Sequence, residues 1–124
     1  LGFPLLKNHV IDAKYKITIQ TNNEKNIMSK GTEVWINSIK KDGQLVDLST
    51  LTLDNNWENR GRLYNPGNVQ GEWSVVVKSK DKTIINFIAH PYSGIVVITD
   101  GHGNSTKLDL YAEEQREVEF IKEP

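Results

Sequence analysis

The residues best suited to chemistry in this chain are aromatic rings set among amides and charges. Trp57, Tyr64 and Tyr92 stand out, with Asn55, Asn56, Glu58, Arg60 and Arg62 close to the first two in sequence. An aromatic ring offers an apolar face and, in Trp and Tyr, a polar tip. Exposed on a strand or loop, such rings stack on sugar rings while Asn, Glu and Arg hydrogen-bond the hydroxyls. The segment 54–71 is dense in Asn and Gly and contains Asn65-Pro66-Gly67, a strong turn signature. A long polar loop with large aromatics is a candidate site, with Trp57, Tyr64 and Tyr92 as stacking surfaces and Asn56, Glu58 and Arg62 as hydroxyl partners. The competing reading makes these rings core or loop anchors. It is strongest for Trp73, inside an alternating strand, and fits Trp57 as well. For Trp35, opposite in parity to Val34 and Ile36, core and exposed placements stay open.

Other chemistries find weaker support. His9, His90 and His102 have no metal-ligand spacing; His90 precedes Pro91 and His102 lies between turn glycines, so both read as turn residues. Ser93-Gly94 is the nearest approach to a nucleophile turn, but no G-x-S-x-G pattern surrounds it. Acid pairs such as Asp47 with Asp54, or Glu58 with Glu72, resemble glycosidase carboxylates only as far as chance pairing among 16 acids allows. Asp100, Asn104 and Asp109 could supply oxygen ligands to calcium, yet turn chemistry accounts for the first two. Asn104-Ser105-Thr106 forms a glycosylation sequon. With no cysteine, thiol nucleophiles, disulfides and cysteine-ligated zinc are excluded. The expectation is a domain without catalysis, metal or cofactor.

The elements that must position these residues read as strands. Residues 83–112 hold three apolar runs separated by two turn signals, and they predict three successive strands of one sheet. The break at His90-Pro91-Tyr92-Ser93-Gly94 follows from proline's missing amide. The run 94–99 is β-branched almost throughout and fits a strand covered on both faces. Residues 12–21 alternate, with Tyr15, Ile17 and Ile19 on one side. Residues 22–31 form a polar loop whose only apolar anchors are Ile27 and Met28. Strand 33–40 turns through Asp42-Gly43, a hairpin signal, into strand 44–48, with Leu51 and Leu53 as a short continuation. A short strand 60–64, strand 72–79 with Trp73, Val75 and Val77 inward, and a closing strand 117–122 complete the set. Eight or nine short strands with turns every 8–12 residues predict an all-β, two-sheet antiparallel sandwich, Ig-like or jelly-roll, ahead of an open barrel.

At 124 residues, with 37% hydrophobic and 25% charged residues, the chain suits a single domain spanning 1–124, with 1–11 as an arm or linker. A net charge of −1 provides no basic field for nucleic acid or anionic lipid. The opening Leu1-Gly2-Phe3-Pro4-Leu5-Leu6 is compatible with the tail of a preceding membrane segment or with a packed arm, and the chain reads as a fragment of a larger protein.

The run His90-Pro91-Tyr92-Ser93-Gly94-Ile95-Val96-Val97-Ile98, followed after a turn by Asp109-Leu110-Tyr111, resembles the closing strands of extracytoplasmic β-domains. Those domains are appended to bacterial membrane-anchored, glycosyltransferase-like proteins of the cell envelope. The likeness covers about 22 residues of the chain and transfers no catalytic residue. It implies an extracytoplasmic or cell-surface location, a membrane link only through the parent protein, and a glycan or envelope polysaccharide as partner. The leading expectation is therefore a non-catalytic, carbohydrate-binding accessory module. The alternative is an Ig-like structural or protein-interaction domain working through an exposed apolar patch or edge strand.

Overall fold

In a computed structural model, residues 14–53 and 56–124 are described, and they form ten strands and one 3₁₀ turn. The strands are β1 (Lys14–Asn22), β2 (Val34–Lys41), β3 (Gln44–Leu45), β4 (Glu58–Asn59), β5 (Leu63–Asn65), β6 (Gln70–Lys78), β7 (Thr83–Ala89), β8 (Ile95–Thr99), β9 (Ser105–Asp109) and β10 (Arg116–Lys122). One sheet has four strands in the order β6-β1-β8-β9; the other has six, in the order β10-β7-β2-β5-β4 with β3 paired to β2. Every named strand pairing is antiparallel. The fold is the expected all-β, two-sheet sandwich.

Alternation decides the core, because successive side chains of a strand point to opposite faces. Ile17, Ile19, Trp73, Val75, Val77, Val96 and Ile98 of the four-stranded sheet meet Val34, Ile36, Ile39, Leu63, Ile85, Phe87 and Ala89 of the six-stranded one. In β2 the register shifts between Ile36 and Ser38, so Asn37 is a bulge. The bulge explains how Val34, Ile36 and Ile39 all point inward although their spacing breaks a strict period of two. It also settles Trp35 on the outer face. The hairpin at Asp42-Gly43 has both residues at positive φ, 51° and 83°, as a type I′ turn requires.

Four sequence expectations need correction. Residues 83–112 do not lie in one sheet: β7 belongs to the six-stranded sheet and β8 and β9 to the other, so 90–94 is a crossover. Pro91 has no amide to continue the β7 ladder, and the Ser93 hydroxyl takes the His90 N–H at 3.1 Å instead. Strand β8 is covered fully on one face only. Val96 and Ile98 are buried, whereas Val97 lies half-exposed between Gln20 and Lys107. The strand expected at 44–48 stops at Leu45, because Asp47 caps a 3₁₀ turn at Leu48–Thr50 by accepting the Ser49 N–H at 3.0 Å. Leu51 and Leu53 pack against the core without extending a strand. Finally, Ile27 and Met28 are exposed; the buried anchor of that loop is Ser29. The expected arm at 1–11, the start of strand 12–21, and Asn55 lie outside the described residues.

Strand directions gather residues 23–33, 66–69, 90–94 and 110–115 at one end of the sandwich and 42–43, 79–82 and 100–104 at the other. The second end is closed by Lys122, buried, whose ammonium donates to the carbonyls of Lys78, Ser79 and Asp81 at 3.2, 2.7 and 2.6 Å. An ammonium carries three donors, and here three acceptors meet it.

Candidate functional site

Directly paired residues of neighbouring strands share a face. On the outer face of the six-stranded sheet, the pairings Glu117–Ile88, Ile88–Trp35, Trp35–Tyr64 and Tyr64–Glu58 draw one row across five strands. At its centre the Trp35 and Tyr64 rings lie 4.5 Å apart between centroids and tilted by 45°. The Arg60 guanidinium sits over the other side of the row, 4.2 Å from the Tyr64 ring, and is held by Glu58 at 2.8 Å.

The crossover 90–94 rises beside this row and makes it concave. A cleft of about 390 Å³ results, with Ile88 and Trp35 among its apolar lining, His90, Pro91 and Tyr92 contributed by the crossover, and Glu33, Arg62 and Gln115 as polar edges. Its size falls at the lower limit of small-ligand sites. The crossover is firmly held. The Ser29 hydroxyl, buried, reaches the carbonyls of Gly31, Pro91 and Ser93 at 2.9, 3.1 and 2.6 Å. Backbone bonds join Lys30 N–H to the Pro91 carbonyl, Glu33 N–H to the Tyr92 carbonyl and Gly94 N–H to the Glu33 carbonyl, at 2.8, 3.0 and 2.9 Å. This close approach requires Gly94, where an added Cβ would lie 2.5 Å from the Thr32 carbonyl oxygen.

Polar groups in the cleft are oriented. The Trp35 indole N–H donates to Glu33 Oε1 at 2.9 Å. His90 Nδ1 accepts the Tyr92 N–H at 3.0 Å, which puts the proton of a neutral ring on Nε2, 3.7 Å from the same Glu33 oxygen. Arg62 donates through Nε to Asn37 Oδ1 at 2.9 Å, so the bulge residue of β2 fixes the guanidinium at the cleft edge. Arg62 is exposed, and Tyr92 is 49% exposed.

The sequence-derived site is thus brought together only in part. Tyr92 and Arg62 line the cleft, and Tyr64 supports it through Trp35. Glu58 lies at the far end of the row, paired with Arg60, and Asn56 is exposed with a positive φ of 71°. Trp57 is only 5% exposed and packs on Trp73, with centroids 5.8 Å apart. It is a core residue, and a stacking role for it is withdrawn: its ring faces meet the apolar interior. Glu33, Ile88, His90 and Gln115 escaped the sequence reading. The only signal for any of them was the position of His90 beside the Pro91-Tyr92 turn.

The Asp100 turn holds its own polar groups together. Desolvation pushes the Asp100 carboxyl up, but hydrogen bonds from the Asn104 and His102 backbone N–H groups and the Asn104 amide outweigh it and hold it below the usual aspartate range. Asp109 bonds Asn26 and the Tyr111 N–H, away from that turn. No cluster of three or more His, Asp or Glu suited to a metal occurs among the described residues.

Comparison with known proteins finds no matching family model, no similar curated protein and no similar solved structure.

Proposed function

We propose that this domain is a non-catalytic carbohydrate-binding module and that the outer cleft of the six-stranded sheet is its site. One observation carries this reading. A partly buried Trp35 and a half-exposed Tyr92 share a concave surface with an oriented carboxylate, guanidinium and imidazole and with the Gln115 amide. Apolar ring faces with a few fixed polar edges match the two sides of a pyranose, whose C–H face stacks and whose hydroxyls hydrogen-bond. The cleft volume suits one or two sugar units.

The resemblance of the segment from His90 to Ile98 and of Asp109-Leu110-Tyr111 to envelope-associated domains supports a bacterial, extracytoplasmic setting and a membrane-linked parent. In that setting the ligand is a cell-envelope glycan. The test is titration with an oligosaccharide panel followed by tryptophan fluorescence. A saturable shift that disappears in Tyr92→Ala and in Arg62→Ala, with the fold intact, supports the reading. A flat response across the panel rejects it in favour of a structural or protein-docking domain.

A further inference from the structure

Two adjacent large apolar side chains stand in solvent at a loop tip: Ile27 is 92% exposed and Met28 66%. A loose loop would bring such side chains back onto the protein surface, but this loop is prevented from doing so. The Met28 N–H donates to Asn26 Oδ1 at 2.8 Å, and the Asn26 amide donates to Asp109 Oδ2 at 2.7 Å. The Lys25 ammonium caps the Ser29 carbonyl at 2.9 Å, and the buried Ser29 hydroxyl locks the base of the loop to the crossover. The tip is therefore built to present Ile27 and Met28 outward.

Its surroundings indicate what it meets. Lys25 and Lys30 flank the apolar pair on both sides, and both are exposed. The nearest acids are already engaged: Glu24 with Lys107 at 3.1 Å and Asp109 with Asn26. Tyr92 and Val69, both about half-exposed, lie at the same end of the sandwich. Apolar side chains at a point, cations one step behind and a tyrosine beside them form the layering of a bilayer surface, from acyl chains through anionic headgroups to the interface. We propose that the Ile27–Met28 tip inserts into an anionic lipid surface, with Lys25 and Lys30 at the headgroups. The overall charge of −1 gives no long-range attraction, so the contact is local and weak, and it orients the domain at a membrane without holding it there alone. It places the cleft, whose wall includes Tyr92, close to that surface.

The test is co-sedimentation of the domain with vesicles of phosphatidylcholine alone or with 30% phosphatidylglycerol, on the order of millimolar lipid, as suits weak interfacial binding. Binding to the anionic vesicles is expected, with loss of about tenfold per side chain in Ile27→Ser/Met28→Ser and about fivefold in Lys30→Gln, which leaves the Lys25 cap in place. Leu45→Ser/Ile121→Ser, at the opposite end, is the control and should bind as the parent does. Thermal melts confirm that each variant folds. No binding to anionic vesicles, equal binding to neutral ones, or unchanged binding of the folded Ile27→Ser/Met28→Ser variant overturns the proposal; the first and last of these would direct the tip toward a protein partner.

Discussion

The two outward faces of this sandwich follow the same cross-strand rule and arrive at opposite surfaces. Across the four-stranded sheet, the pairings Ser74–Thr18, Thr18–Thr99 and Thr99–Ser105 draw a row of short hydroxyl side chains. These hydroxyls bond one another, Thr18 with Ser74 and Thr99 with Ser105, each at 2.9 Å. Across the six-stranded sheet, the equivalent row carries Ile88, Trp35 and Tyr64, and a crossover stands over it. The first row satisfies its hydroxyls internally. The second leaves polar edges around an apolar floor and is concave. A small ligand gains by displacing water from the second kind of surface and gains little on the first.

This contrast depends on local devices that can be removed. The largest effect is expected from Gly94→Ala, because the new Cβ would meet backbone carbonyls of Thr32 and Glu24 at 2.5 and 2.9 Å. Neither atom is the movable end of a side chain. A loss of about 3 kcal/mol in urea unfolding is expected, with the crossover displaced and cleft binding lost. Ser29→Ala removes the hydroxyl that reaches three carbonyls and should cost about 2 kcal/mol. In that variant ligand affinity should fall, and amide protection should fall most at the crossover and at residues 23–33, with the four-stranded sheet losing no more than the global cost. Hydrogen exchange resolved by residue separates the two sheets.

Trp35→Ala takes away one ring of the row and the donor that orients Glu33. Calorimetric titration with the best-responding sugar should show about a tenfold loss of affinity or more, as removal of a stacking ring of ~1–1.5 kcal/mol would give. Thr18→Ala, on the outer face of the four-stranded sheet, should change stability by no more than about 0.5 kcal/mol and leave affinity untouched. A larger effect of Thr18→Ala on binding than of Trp35→Ala would reverse the assignment of the faces. The smallest effect concerns Asp47. Hydrogen bonds from the Ser49 hydroxyl and backbone N–H hold its carboxyl below the usual aspartate range, against a slight upward push from desolvation. Its folded-state value is depressed, so the stabilisation is present above the unfolded value and fades as pH falls through the folded one. An Asp47→Asn variant should flatten the acid limb of the melting profile slightly, and chemical-shift titration of the Asp47 carboxyl checks the direction.

Much of the scaffold was legible because local chemistry dictated it. Ile17 and Ile19 alternate in β1, Asp42-Gly43 admits only a tight hairpin, and Asn65-Pro66-Gly67 turns as it must, with Asn65 Oδ1 taking the Gly67 N–H at 2.7 Å. What stayed hidden depends on distant partners. An apolar strand does not encode which sheet it joins, so the crossing at 90–94 read as a simple break. The bulge at Asn37 resets parity, and without it Trp35 and Ile39 compete for the core. Trp57 lies outside the strands, and its burial was hidden because its partner Trp73 lies in β6, distant in sequence. Ile27 and Met28 looked like anchors because hydrophobicity alone does not reveal that a serine hydroxyl holds the loop. The cleft combines residues from β2, β7, the crossover and the segment before β10, and no single stretch contains its pattern.

The most direct test of the central claim is a nitrogen–proton NMR titration with envelope and plant oligosaccharides, read at the three tryptophan indoles and the backbone amides. Saturable shifts are expected at the Trp35 indole, Tyr92 and Gln115. The Trp57 and Trp73 indoles and the row Ser74, Thr18, Thr99 and Ser105 should remain still. Shifts confined to the outer face of the four-stranded sheet, or none with any sugar, would contradict the assignment of the cleft.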